Sequence, residues 1–333
     1  MLFFVVCACF ALFPEQVVSG AQSGLALCIN ALIPALLPFM LVSSCIIGSG
    51  FSKPLGAFFS KVLTPLTGIS SAGCVCLVTG LLGGYGAGAR AVLESYRKNY
   101  ISKDEAESLL AFCNNAGPLF IMGTVGVSFF SSKSIGIMLF GIQVVTALIC
   151  ARVFGGGSVR ESQSVQEQWN IYKKNKPSLG GLVSTSAIES GAAIVTACVF
   201  VITFSAILEI FPMGSYSFLA GIVEVTRGCA EASRLGTKAL PFISALLYWG
   251  GLSVHFQANA LSEGKFNMKK YYIGKILGSM VAFLITKLVC SDMNILLSAV
   301  IIAAALILII LTIRRLFFPK CALPHVFRQR RHS

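Results

Sequence analysis

Charge is what this sequence lacks. Asp, Glu, Lys and Arg make up 12% of its 333 residues, against roughly 25% in a soluble domain, and the mean hydropathy is +0.82. No formal charge falls within residues 16–52, 62–89, 108–132, 134–151, 190–208, 239–262 or 293–313. A helix needs about 20 apolar residues to cross a hydrocarbon core, and only helices or closed barrels satisfy their backbone groups there. The runs are continuous rather than alternating, which excludes a transmembrane barrel. The sequence therefore reads as an all-α, polytopic transmembrane helical protein of the cell membrane, with the lipid bilayer as its first partner.

Histidine is scarce, and cysteine is not spaced for metal or redox work. Two of the three histidines lie in the tail, and none of the twelve cysteines forms a C-x-x-C pair. Cys7 and Cys9, like Cys74 and Cys76, are spaced C-x-C, and most of the others lie in apolar runs. A buried free thiol behaves there as a small hydrophobe, so neither a metal site nor a disulfide framework is expected. Also missing are H-E-x-x-H, G-x-S-x-G, a Walker lysine and paired carboxylates. No catalytic residue and no cofactor are expected, and any transport would be passive or driven by an ion gradient.

The net charge of +13 does not point to nucleic acid, because of where it sits. Arg160, Lys173, Lys174 and Lys176 form one group, Lys265, Lys269 and Lys270 a second, and Arg314, Arg315, Lys320, Arg328, Arg330 and Arg331 a third. Each lies beside a hydrophobic run. This is the basic excess of cytoplasmic loops, helped by anionic headgroups, and no nucleic-acid partner is expected.

The opening MLFFVVCACFALFPEQ is short for a span and lacks the basic start of a secretory signal, so it reads as a short first helix or signal anchor. A helix is expected over 25–47, kinked by Pro34 and Pro38. Residues 51–66 look interfacial, with Lys53, Lys61 and the turn formers Pro54, Gly56 and Pro65. Five glycines between 80 and 88 are too many for an ordinary straight span. Residues 94–107 are charged and amphipathic, and Ser102 with Glu105 forms a capping box. Further spans are expected at 136–151, 190–211 and 239–261, then closing helices at 271–289 and 293–313. The organisation is an N-terminal membrane half (1–154), a hydrophilic cytoplasmic linker (155–180), a C-terminal membrane half (181–313) and a basic cytoplasmic tail (314–333).

The halves resemble one another. GLLGGYGAGA, from Gly80, aligns with GIVEVTRGCA, from Gly221, and each is followed by an interrupted apolar segment, NNAGP at Asn114 and GGLSVH at Gly250. Such pairs are the best sequence pointer to a transporter's midplane site; chance likeness in a glycine-rich membrane chain is the rival reading. If the linker, the 263–270 loop and the tail are all cytoplasmic, 217–235 must enter and leave on one side. The expected fold is an inverted repeat with two re-entrant helical hairpins. Gly84, Gly86 and Gly88 shape the first tip, Gly117 and Pro118 the first interruption, and Gly250 and Gly251 the second.

Polar residues in these segments are the candidate site. Asn114 and Asn115 cannot stay unpaired in hydrocarbon; they can cap a broken helix, bond across helices as packing groups, or face a polar cavity. Glu224 and Arg227 stand i, i+3 and could pair on one face, either marking a pathway or reaching the headgroups from a shallow segment. Glu231 and Arg234 read as interfacial. His255, Gln257 and Asn259 interrupt an apolar span, with His255 and Asn259 on one face, although a lone histidine is more often a packing residue. Together with Tyr85 and Thr226, the residues Asn114, Asn115, Glu224, Arg227, His255 and Gln257 are the candidate ligands of a small polar solute.

The stretches PALLPFMLVSS, GLLGGYGAGARAV, ISKDEAESLLAFCNNAGPLFIMGTVG and WGGLSVHFQ resemble the YlbJ-type sporulation integral membrane proteins of endospore-forming bacteria. These fall within the wider nucleoside-recognition or Gate domain proteins. The resemblance runs from about Leu25 to Ile313, with the Asn-Asn-Ala-Gly-Pro-Leu-Phe block as its most specific part. One departure is Gly86, where the family typically has proline. The resemblance implies a cytoplasmic-membrane protein needed for spore development, with two hairpins facing each other around a polar site. It implies a transporter-like protein that binds or moves a small polar solute, a nucleoside-like one among the candidates. The alternative is a non-transporting scaffold or assembly protein for spore cortex or coat. A homo-oligomer stays open.

Overall fold

The computed structural model of the chain describes residues 2–155, 165–174, 177–211 and 217–291. The expected closing helix at 293–313, the basic tail at 314–333 and residues 156–164 and 175–176 of the linker lie outside the described residues. Every element among the described residues is helical.

After α1 (Leu2–Leu12), α2 (Pro14–Leu27) passes through a π-turn at Cys28–Leu32 into α3 (Ile33–Gly48). This differs from the expected helix over 25–47. The sequence PEQVVSGAQSG is too polar to read as a span, yet it is helical because its glycines fit another helix. A Cβ on Gly24 would stand 2.8 Å from the Ile202 Cα, the small-residue contact that lets membrane helices approach closely. Pro34 falls in the opening turn of α3, where its missing N–H is harmless, and the wide turn before it absorbs the local misfit. The chain then bends by 99° into α4 (Ser52–Thr67). There Pro54 and Gly56 lie in the opening turns and Pro65 in the last. Ser52, Ser60 and Thr67 are buried while Phe58, Val62 and Leu66 face outward, so α4 has an apolar outer face suited to the membrane interface.

Helices α5 (Ser71–Gly83) and α6 (Ala87–Arg97) form one hairpin. Then α7 (Lys103–Cys113) breaks off and resumes as a π-helical segment, Leu119–Phe129. The span α8 (Lys133–Phe154) follows, and α9 (Val165–Lys174) lies in the linker, with Trp169 and Tyr172 packed around Phe51. The second half repeats this order. A long span, α10 (Leu179–Ile210), leads to the hairpin of α11 (Ser217–Val223) and α12 (Val225–Ser233). A 3₁₀ turn, Gly236–Ala239, opens the broken helix α13 (Leu240–Trp249) and α14 (Gly251–Leu261), and α15 (Lys269–Val289) closes the described chain.

Four of these stretches are long and apolar enough to cross a membrane: Lys133–Phe154, Leu179–Ile210, Gly236–Leu261 and Lys269–Val289, or five spans if the bent α3–α4 pair is counted. Their outward residues include Ile137, Ile188, Val195, Val199, Ile276 and Met280, an apolar surface that a soluble monomer rarely presents.

Contacts between loops sort the chain ends onto two faces. On one face, Lys98 donates to the Ile47 and Gly48 carbonyls at 3.2 and 3.1 Å, Arg97 pairs with Glu263, and Lys270 pairs with Asp104. This basic face holds both ends of the α5–α6 hairpin, the start of α7 and the end of α14. The start of α10 joins them, since Leu182 packs on Gly48. The far end of α10 and the start of α13 are therefore on the opposite face, and both ends of the α11–α12 hairpin go with them. The two hairpins open in opposite directions.

One core joins the halves: Leu77, Val92, Leu109 and Phe112 from the first half with Tyr248 and Tyr271 from the second. Its tightest point is backbone on backbone. A Cβ on Gly88 would lie 3.1 Å from the Gly80 Cα, and a Cβ on either glycine would run into the Cys113 carbonyl. Those two glycines allow the first hairpin to close and to lie against the end of α7.

Candidate functional site

The interruption after α7 exists because Pro118 has no N–H to continue the ladder and restricts Gly117 before it. Asn114 and Asn115, both fully buried, stand at the freed end. The Asn114 Oδ1 accepts from the Gly86 N–H at 2.7 Å, and the Asn115 Nδ2 donates to the Phe112 carbonyl at 2.6 Å. Thus one asparagine ties the break to the hairpin tip and the other caps its own turn. The tip takes its shape from Gly84 and Gly86, with φ of 83° and 82°, a region costly for other residues. Proline, fixed near −65°, cannot adopt the Gly86 conformation.

The second hairpin turns at Glu224, whose extended backbone separates α11 from α12. Its carboxylate accepts the Arg227 backbone N–H at 2.7 Å, capping α12 where an anion is favoured. The expected side-chain pair between Glu224 and Arg227 is not formed. The Arg227 guanidinium instead bonds Glu209 at 2.7 Å and Glu231 at 3.0 Å. A break places Glu224 ahead of the helix, so its nearest donors are the new helix's free N–H groups rather than a side chain one turn on. Glu231, expected to be interfacial, is held in this Arg227 pair. Gly251 lies beneath the tip, with room for no Cβ: one would stand 2.9 Å from the Val223 carbonyl oxygen.

The halves meet across these breaks. Tyr85, at the first tip, donates its hydroxyl to the Leu247 carbonyl in the last turn of α13. Between the tips lies a small cavity, lined on its polar side by Tyr85, Glu224, Thr226, Ser253 and Gln257, with Gly117, Phe120 and Val201 also contributing. Its space open to water is about 30 Å³, enough for one or two waters. Ser253 Oγ and Gln257 Nε2 in its wall have no hydrogen-bond partner among the described residues, nor does Asn115 Oδ1 at the break. Buried polar atoms are seldom left so. A larger cavity of about 250 Å³ lies at the basic face. Ser70 and Glu105 in its wall hydrogen-bond at the start of α5.

Of the candidate ligands, Tyr85, Glu224, Thr226 and Gln257 thus share one cavity. Asn114 and Asn115 stand behind it, at the break. Arg227 faces away. His255 bonds the Tyr271 hydroxyl at 2.9 Å and stacks edge-on to Trp249 with centroids 4.1 Å apart, the packing role a lone histidine usually has. Asn259 is exposed while His255 is buried, so the face they share does not unite them. Two residues escape the sequence reading. Ser253 has no distinctive spacing. Lys275, two turns into α15 and fully buried, donates to the Asn114 and Tyr248 carbonyls; an ionisable residue within an apolar span is itself a signal.

Over 311 residues the chain is 25% identical to the sporulation integral membrane protein YlbJ of Bacillus subtilis (strain 168), a match that covers 81% of this chain and 76% of that one. The similarity to YlbJ-type proteins therefore extends over most of the chain, as its motifs imply. With its apolar spans, it is a multi-pass integral membrane protein. No protein-family model matches the chain, and no solved structure matches it.

Proposed function

We propose that this is a sporulation membrane protein of transporter type, without enzymatic activity, whose hairpin tips enclose a binding site for a small polar solute. The sporulation role rests on the likeness to YlbJ, whose name describes it as a sporulation integral membrane protein. The observation that carries the solute reading is the cavity itself: Glu224 and Thr226 on one tip face Tyr85 on the other, with unpartnered Ser253 and Gln257 between them. A carboxylate and amide so placed would recognise a solute rich in hydroxyl or amine donors, and the Gate-type resemblance makes a nucleoside-like compound the first to try. Two hairpins opening to opposite faces are the arrangement from which alternating access proceeds, one repeat moving against the other.

The cavity's volume, about 30 Å³, favours a second reading. A nucleoside does not fit without separation of the tips, and in a scaffold protein the same polar groups would serve helix packing alone. Glu224→Gln and Gln257→Ala separate the two. For a transporter, both variants accumulate normally in the membrane while sporulation fails, and uptake of radiolabelled nucleosides into vesicles falls. Wild-type sporulation from both variants at normal abundance would rule the site out.

A further inference from the structure

Lys275 has the least expected environment of any charged residue described. It is fully buried two turns into α15, between Gly274 and Gly278, and no ion pair joins it to a carboxylate among the described residues. Cys113 on α7, Cys150 on α8 and Tyr248 on α13 face it from three packed helices. None supplies a formal negative charge at neutral pH. An ammonium so placed needs compensation, since desolvating it without a partner is costly.

Two carbonyls supply the compensation. Lys275 Nζ donates to Asn114 O, at the C-terminal cap of α7, and to Tyr248 O at 3.1 Å, in the last turn of α13. It also lies 4.9 Å from the centre of the Tyr248 ring, within reach of a cation–π attraction. The helices α7 and α13 are the first pieces of the two broken helices, one from each half. Their C-terminal ends, where unpaired carbonyls gather partial negative charge, converge on one nitrogen. In transporters built from discontinuous helices, such carbonyl ends are where a coupling cation is held.

We infer that the Lys275 ammonium is a tethered cation that occupies the cation position between the two broken helices, so that this chain binds no free sodium there. The cationic group that joins the two halves is, on this inference, part of the chain itself. The inference concerns the breaks and holds whether or not the neighbouring cavity takes a solute.

Thermal melting of the purified full-length protein tests it, in sodium chloride or in choline chloride at equal ionic strength. The wild-type protein should melt at the same temperature in both. Lys275→Met, which keeps the bulk without the charge, should melt lower in both. Lys275→Ala should melt lower in choline and recover on addition of sodium or methylammonium, which can enter the space left by the side chain. A wild-type melting temperature that rises in sodium would overturn the inference. So would Lys275→Met melting like wild type, or Lys275→Ala indifferent to both cations. The wild-type comparison decides alone if neither variant accumulates, and the Glu224 and Gln257 variants judge the solute reading separately.

Discussion

The backbone N–H of Gly86 donates to the side-chain oxygen of Asn114 at 2.7 Å, and this bond fastens the first hairpin tip to the break beside it. Both residues are buried, so water cannot take over when the acceptor is removed. Asn114→Ala should therefore lower stability by about 1–3 kcal/mol, the cost of leaving a buried donor unpaired. Asn115→Ala loses a bond to its own turn, nearer about 0.5–1.5 kcal/mol. Melting temperatures of the purified variants give the comparison. Equal losses would mean that the tip is not held through Asn114.

The hairpin's closure depends on missing side chains. Gly88→Ala puts a methyl against the Cys113 carbonyl and the Gly80 backbone, neither of which can swing aside. Overpacking of this kind costs about 1–3 kcal/mol, so accumulation in the membrane and melting temperature should both fall. Gly141→Ala is the control. Among the described residues nothing lies within 4 Å of a Cβ there, and alanine in a helix interior gains about 0.5–1 kcal/mol over glycine. If Gly88→Ala behaves like Gly141→Ala, the two helices of the hairpin are further apart than described.

The membrane class and the helix breaks are legible in the sequence because their causes are local. Uncharged runs set the spans, Gly117-Pro118 and Gly250-Gly251 set the interruptions, and five glycines mark the first tip. The rest depends on neighbours distant in the chain. Residues 14–24 are helical because Gly20 and Gly24 fit against α10, a fact about α10 as much as about α2. Glu224 and Arg227 have the spacing of a pair but are divided by a backbone turn, whose position no side-chain periodicity reveals. Lys275 is lost in the average hydropathy of its helix, and its partners lie 161 and 27 residues away.

That division of Glu224 from Arg227 can be measured. In a double-mutant cycle, Arg227 and Glu209 should couple by about 0.2–1 kcal/mol, the range for partly exposed ion pairs, since roughly a third of each side chain is accessible. Glu224 and the Arg227 side chain should couple more weakly, because the hydrogen bond from Arg227 to Glu224 comes from its backbone N–H, which any substitution except proline retains. Coupling between Glu224 and Arg227 as large as that with Glu209 would restore the side-chain pair.

Orientation follows from which face carries the basic residues. Arg97, Lys98, Lys265 and Lys270 gather where the first hairpin opens, and basic loops stay in the cytoplasm. The first hairpin should then open to the cytoplasm and the second to the outside. Helix α8 carries the chain from Lys133 to Gly155 over 22 residues, about 33 Å at 1.5 Å per residue, so Lys133 should be outside. Glu263 and Lys133 are both exposed, and single cysteines there can be labelled in a background without reactive cysteines. Glu263→Cys should resist an impermeant thiol reagent in intact cells and react once they are permeabilised, while Lys133→Cys should react in both. Cysteines at Ser164 and Ser333, outside the described residues, should follow Glu263, since they lie in basic segments. The reverse pattern would turn the protein over in the membrane. Labelling of Glu263→Cys and Lys133→Cys alike in intact cells would remove the two-faced arrangement, and with it the opposed hairpins on which alternating access would depend.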